Sequence, residues 1–146
     1  MCQMNNIKPI CLIRRAEQEE LLRKEFQCEF VVDTSKADYK QKLGDICAKL
    51  KPNTCFECIS GNTTGEMLQY LTFNSTLILY GTLSETPAGG IQTIHFIGKS
   101  QTIESFLLNT FLARYDEKKF REIVAQALKT YKTVFKTTVQ KRFGFD

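Results

Sequence analysis

A chain of 146 residues with 42% hydrophobic residues, 11 Phe and only 3 Pro has room for one sizeable core and too much apolar surface to stay a solvated coil. No unbroken apolar run exceeds four residues, far short of the roughly 20 that cross a bilayer, which excludes a membrane-spanning helix. The net charge of +4 is uneven: residues 1–113 carry eleven basic and twelve acidic side chains, whereas residues 114–146 carry nine and four. That basic segment reads either as a solvated face or as a surface for phosphates, an acidic partner or nucleic acid. Tyr131, Phe135, Phe143 and Phe145 would stack in the last case, but no nucleic-acid motif accompanies them.

Taken in chain order, Ile10 to Ile13 reads as a buried strand, and Glu17 to Phe26 as a charged helix with Leu21, Leu22 and Phe26 on one side. Phe30 to Val32 is a second strand, ending in Asp33-Thr34-Ser35, where Ser35 and Asp38 have capping-box spacing. The helix that follows gathers Tyr39, Leu43, Ile46, Cys47 and Leu50 on one apolar face and stops near Pro52. Thr54 to Ile59 is the third strand. Ser60-Gly61-Asn62 then turns into Thr63-Thr64-Gly65-Glu66, a second capping-box spacing that opens a helix carrying Met67, Leu68 and Leu71. Ser75 to Tyr80 is the fourth strand, closed by Gly81. A loop through Glu85, Pro87, Gly89 and Gly90 leads to a fifth at Thr102 to Phe106. From Asp116 a helix places Phe120, Ile123, Val124, Ala127, Leu128 and Tyr131 on one face. Three successive strand–helix units with unalternated β-rich runs predict an α/β fold, its parallel sheet covered on both faces, in a single domain over residues 1–146.

Six cysteines (Cys2, Cys11, Cys28, Cys47, Cys55, Cys58) accompany no signal-peptide pattern, so they read as free thiols in a reducing compartment. Cytosol or mitochondrial matrix is expected rather than secretion. Cys55 and Cys58 have the spacing of half a zinc site, but no second pair follows, and the lone His95 lies 37 residues further on. No metal site is expected.

In an open parallel sheet, ligands bind outside the carboxyl ends of the strands. The first run ends in Arg14-Arg15, the third in Ser60-Gly61 and the fourth in Tyr80-Gly81-Thr82. Two guanidinium groups at a strand-to-helix turn could clamp a phosphate bidentately, or could simply pair with Glu17, Glu19 or Glu20. Gly61 and Gly81 could let backbone approach a flat ligand, or could serve only their turns.

These positions carry a family resemblance. The stretches Ile10-Cys11-Leu12-Ile13-Arg14-Arg15, Glu57-Cys58-Ile59-Ser60-Gly61 with Thr63-Thr64, Leu79-Tyr80-Gly81, and Phe96-Ile97-Gly98-Lys99 leading into Glu104-Ser105-Phe106-Leu107 resemble the cofactor domain of medium-chain dehydrogenases/reductases. Within that superfamily the chain is most similar to the quinone-reductase-like branch and to mitochondrial 2-enoyl thioester reductases, over about residues 7–146. The resemblance implies an incomplete Rossmann-like doubly wound sheet and NADPH as cofactor. It gives Arg14 and Arg15 to the adenosine 2′-phosphate, with Ser60 and Gly61 at the neighbouring strand end. Tyr80, Gly81, Thr82 and Leu83, with Phe106, Leu107, Leu108 and Asn109, would line the nicotinamide side. The implied reaction is hydride transfer to an enoyl thioester, enone or quinone, without zinc.

Departures from the pattern shape the expectation. The family's Gly-rich turn and first β-α unit should precede Ile7, and its N-terminal catalytic domain is missing as well; Lys141 to Asp146 resembles the strand that re-enters that domain. Two functions follow as expectations: the cofactor-binding portion of an NADPH-dependent oxidoreductase, inactive as this chain alone, or a catalytically dead Rossmann-like accessory subunit of a larger, mitochondrial assembly. Either would meet a protein partner or a second copy through an exposed sheet flank.

Overall fold

A computed structural model describes residues 2–131, which fall into two compact units, residues 2–106 and residues 107–131. Assignments made from the sequence to residues 132–146, including the re-entry strand, lie outside the described residues. The first unit runs β1 (Ile10–Ile13), α1 (Ala16–Lys24), β2 (Phe30–Asp33), α2 (Tyr39–Leu50), β3 (Thr54–Glu57), α3 (Asn62–Tyr70), β4 (Thr76–Leu79), α4 (Thr93–Gly98) and β5 (Thr102–Ser105). The second holds α5 (Leu108–Leu112) and α6 (Glu117–Thr130). All strand pairs are parallel, as runs that are apolar on both faces demand. Asp116 caps α6 as expected, its carboxylate accepting from the Lys119 N–H at 2.8 Å.

The expected single sheet is divided in two. Cys11 pairs with Val31 in β1–β2, while Cys55, Leu77 and Ile103 align across β3–β4–β5. One core nonetheless serves both: Val32 of β2 and Leu77 of β4 are buried with Leu43 and Cys47 of α2 and Met67, Leu68 and Leu71 of α3, and Ile10 and Cys55 pack against them. Val31 and Ile13 point to the opposite face and are buried on the side of α1. Crossovers between parallel strands are right-handed, so helices on opposite faces reverse the direction in which strands are added. With α1 on one face and α2 on the other, β3 must lie beyond β1, and the strand order is β2, β1, break, β3, β4, β5. The open edge anticipated at a flank is therefore an internal break with two unpaired edges among the described residues. Burial agrees: Leu12 is 38% exposed and Phe56 70%, on strands that a continuous sheet would bury most deeply.

Local chemistry departs from the sequence reading at both anticipated capping boxes. The Ser35 N–H and hydroxyl donate to Asp33 Oδ1 at 2.9 and 2.7 Å, holding that carboxyl below its usual range. The Ser35 hydroxyl is thereby taken, and α2 begins at Tyr39 behind Asp38, which makes no side-chain cap. Helix α3 likewise starts at Asn62 behind Gly61 without a side-chain cap, which puts Thr63 already inside the helix, and Glu66 is engaged elsewhere. The Thr93–Gly98 helix has no counterpart in the sequence reading. Its Ile94 and Ile97 are exposed, so it shows no buried stripe from which to infer it.

Glu66 serves α2 instead of its own helix: the Tyr39 hydroxyl donates to Glu66 Oε1 at 2.7 Å, tying α2 to α3. Tyr39→Phe is expected to cost about 1 kcal/mol in urea denaturation. Burial, and after it the bond to Glu66, pushes the Tyr39 hydroxyl up to about 12. An unfolded tyrosine ionises near pH 10, so this hydroxyl's contribution is complete below about pH 10 and is lost as pH rises toward 12. The alkaline loss of stability should be smaller in Tyr39→Phe.

Candidate functional site

The carboxyl ends of β1, β3, β4 and β5 form one rim, and each is set by a bond made at its exit. The Thr34 N–H and hydroxyl donate to the Ile13 carbonyl, at 2.8 and 2.9 Å, where β1 gives way to Arg14 and Arg15. The Gln18 Oε1 accepts from both the Arg14 and Arg15 N–H groups at 3.1 Å, fixing the backbone at the start of α1. The two guanidinium groups remain exposed and make no ion pair among the described residues. Of the acids that could have neutralised them, Glu19 pairs with Arg23 at 2.9 Å and Glu20 with Lys24 at 2.6 Å, one turn along the helix. A cationic pair at a strand end, beside a helix start and without an ion pair among the described residues, offers its donors to a phosphate.

Across the break, the β3 exit is organised by Glu57, which sequence reasoning passed over. Its side chain is buried, and its Oε1 accepts from the Ile59 and Ser60 N–H groups, the second at 2.8 Å. The Oε2 accepts from the Thr64 hydroxyl at 2.9 Å, so one carboxylate ties strand, turn and helix. These bonds hold Ser60 in the left-handed region at φ +69, a conformation that costs a non-glycine residue energy. The signal was available: an acid ending an apolar strand, followed within seven residues by a run of small polar residues.

Gly61 follows at φ +64 and ψ −148, a region open essentially to glycine alone. A Cβ there would meet the Thr86 and Ser84 side chains, and one at Gly65 would fall on the Gly90 backbone. The Gly65 N–H donates to the Gly89 carbonyl at 2.9 Å and the Gly89 N–H to the Gly61 carbonyl at 3.0 Å. The space a side chain would take at Gly61 and Gly65 is filled by the loop after β4, and at Gly81 by Cys58. Chain packing, rather than ligand approach, explains these glycines. The Ser60 hydroxyl donates to the Thr86 carbonyl at 2.9 Å and closes the same clasp.

The β4 exit zips onto the β3 exit. Tyr80, Leu83 and Ser84 donate their N–H groups to the carbonyls of Glu57, Cys58 and Ile59 at 2.9, 2.9 and 2.8 Å. Tyr80 and Leu83 stay exposed, as does Thr82. The hydrogen bond with Cys58, and after it burial, raises the Tyr80 hydroxyl above its ordinary value. Phe106 joins the rim through its N–H to the Leu79 carbonyl at 2.9 Å. The structure thus brings Ser60, Gly61, Tyr80, Gly81, Thr82, Leu83 and Phe106 together at adjoining strand ends. Arg14 and Arg15 end β1 on the other side of the break, and Leu107, Leu108 and Asn109 belong to the second unit.

Parallel strands linked by helices on both faces, with a reversal of strand order between β1 and β3, define a doubly wound α/β nucleotide-binding architecture. The model of the family described as zinc-binding dehydrogenase matches residues 1–130, and the chain belongs to that family, within the medium-chain dehydrogenase/reductase superfamily. It is 28% identical over 127 residues to the mitochondrial enoyl-[acyl-carrier-protein] reductase of Arabidopsis thaliana, covering 85% of this chain and 34% of that protein. A crystal structure from Mesorhizobium loti assigned as an NADPH:quinone reductase superposes with a TM-score of 0.81 at 20% identity, covering 94% of this chain and 39% of that one. A mitochondrial 2-enoyl thioester reductase heterodimer from Candida tropicalis gives 0.74 at 19% identity, covering 97% and 40%. The chain therefore spans between a third and two-fifths of the length of these relatives. The family's name invokes zinc, yet among the described residues no group of three or more His, Cys, Asp or Glu side chains could hold a metal. These residues do not fit a zinc site.

Proposed function

We propose that this chain is the cofactor-binding portion of an NADPH-dependent oxidoreductase acting on an enoyl thioester, enone or quinone. The observation that carries the reading is the Arg14–Arg15 couple, without an ion pair among the described residues, at the carboxyl end of β1 beside the reversal of strand order. An acid at this place would bond a ribose 2′-hydroxyl, whereas arginine accommodates a 2′-phosphate. When bound, NADPH would supply a hydride. Arg14 and Arg15 would hold the 2′-phosphate, the Ser60–Gly61 turn would shape the neighbouring strand end, and Tyr80 to Leu83 with Phe106 would shelter the nicotinamide side from water. Support for the substrate class comes from the enoyl and quinone reductases the chain resembles, and the mitochondrial Arabidopsis reductase favours the mitochondrial matrix over the cytosol. Calorimetric titration with NADPH and NADH tests the assignment: NADPH should bind at least tenfold more tightly, and equal affinities would remove the arginine role. No turnover of an enoyl thioester or quinone is expected from this chain alone.

A second reading, an accessory subunit without catalysis, is favoured by one observation: among the described residues two parallel edges lie open at the break, with Leu12 and Phe56 exposed beside them. Edges of this kind pair with strands of other chains. Failure to bind either nucleotide, together with a stable complex protecting the β1 and β3 amides from hydrogen exchange, would favour it over the first.

A further inference from the structure

The β1–α1–β2 crossover carries a pair of thiols that nucleotide binding does not use. Cys11 sits in the middle of β1, paired in register with Val31, and its Sγ donates to the Cys28 Sγ at 3.9 Å. Among the described residues this is the one thiol–thiol hydrogen bond. Cys28 is placed just ahead of β2 by the left-handed turn at Gln27 (φ +52) and by its own N–H, which donates to the Leu22 carbonyl at 3.0 Å. Both side chains are half-buried, and both backbones are pinned by hydrogen bonds. A disulfide needs its sulfurs at about 2.05 Å, so the gap must close by roughly 2 Å, a distance within reach of side-chain rotation at two cysteines.

We propose that Cys11 and Cys28 form a reversible disulfide, a modification site that staples β1 to the turn entering β2, closed by a small-molecule disulfide such as oxidised glutathione. Cys28, as thiolate, attacks the glutathione disulfide; that S–S bond breaks, and one glutathione leaves with the proton Cys28 lost. The Cys11 sulfur then attacks the mixed disulfide, losing its own proton to the second departing glutathione. Two protein thiols are oxidised by two electrons, and one disulfide is reduced to two thiols. Burial and the adjacent Cys28 push the Cys11 thiol up to about 11, which fits Cys11 for the second, slower step. The bond encloses α1 and the Arg14–Arg15 turn in one covalent loop, and removing the freedom of that loop from the unfolded chain should raise Tm by roughly 10 °C.

The test is equilibration of the native chain in glutathione buffers of graded redox ratio, alkylation of remaining thiols, and tryptic mapping. Tandem mass spectrometry is needed to separate Cys2 from Cys11, which share a tryptic peptide. The expected product is a Cys11–Cys28 linkage that forms before any other pair and disappears with dithiothreitol, accompanied by the rise in Tm. Cys11→Ser should stop at a single glutathione on Cys28, and Cys28→Ser should give no linkage at Cys11. Linkages scattered over Cys2, Cys47, Cys55 and Cys58, or glutathione adducts on the unmutated chain that never resolve, would overturn the proposal. The unmutated chain decides this even if either variant fails to fold.

Discussion

Replacing Arg14 and Arg15 together with alanine should lower affinity for NADPH about 100-fold and leave NADH affinity unchanged. Hydrogen bonds to charged groups contribute about 1.5–3 kcal/mol, so the low end alone predicts a tenfold loss for each exposed guanidinium. Stability should hardly change, because neither side chain is paired among the described residues and the backbone there is held by Gln18. Arg14→Lys and Arg15→Lys should recover only part of the affinity, since an ammonium supplies charge without the planar fork. Calorimetry with both nucleotides separates the outcomes: equal losses for NADPH and NADH would point to a general positive field instead of a 2′-phosphate clamp.

The second large effect is expected at Glu57, where one buried carboxylate satisfies two backbone N–H groups and the Thr64 hydroxyl. Glu57→Ala leaves all three donors unpaired and removes what holds Ser60 in the left-handed region, at a cost of about 4 kcal/mol. Glu57→Gln keeps the shape but turns an amide N–H₂ toward groups that donate, and should cost about half as much. Urea denaturation measures both. A loss under about 1 kcal/mol for Glu57→Ala would show that the turn is held by its backbone alone. NADPH affinity should fall in both variants, because the Ser60–Gly61 turn shapes the rim.

The strands were legible because parallel pairing imposes apolar character on both faces, and Ile10 to Ile13 and Thr76 to Leu79 carry it plainly. The face of α2 was legible because Leu43 and Cys47 repeat at helical spacing above a shared core. What failed was local polar chemistry. Ser35 with Asp38 and Thr63 with Glu66 have capping-box spacing, but Asp33 at the end of β2 takes the Ser35 hydroxyl, and Glu66 accepts from Tyr39 across the helix pair while α3 already begins at Asn62. A single sequence cannot rank two acceptors for one donor. The break in the sheet escaped notice for a different reason: strand order follows from crossover handedness and from which face each helix covers, and only the packed core reveals that. Arg14 and Arg15 were recognised as candidates, while their freedom from Glu19 and Glu20 became visible only once Arg23 and Lys24 were seen to occupy those acids.

The central claim concerns the phosphate at the end of β1, and amide chemical shifts report on it residue by residue. Titrating the labelled chain with adenosine 2′-monophosphate should move the signals of Arg14, Arg15 and Gln18 progressively to saturation, while the 5′ isomer leaves them in place. Equal movement with both isomers, or shifts confined to other parts of the chain, would contradict the account.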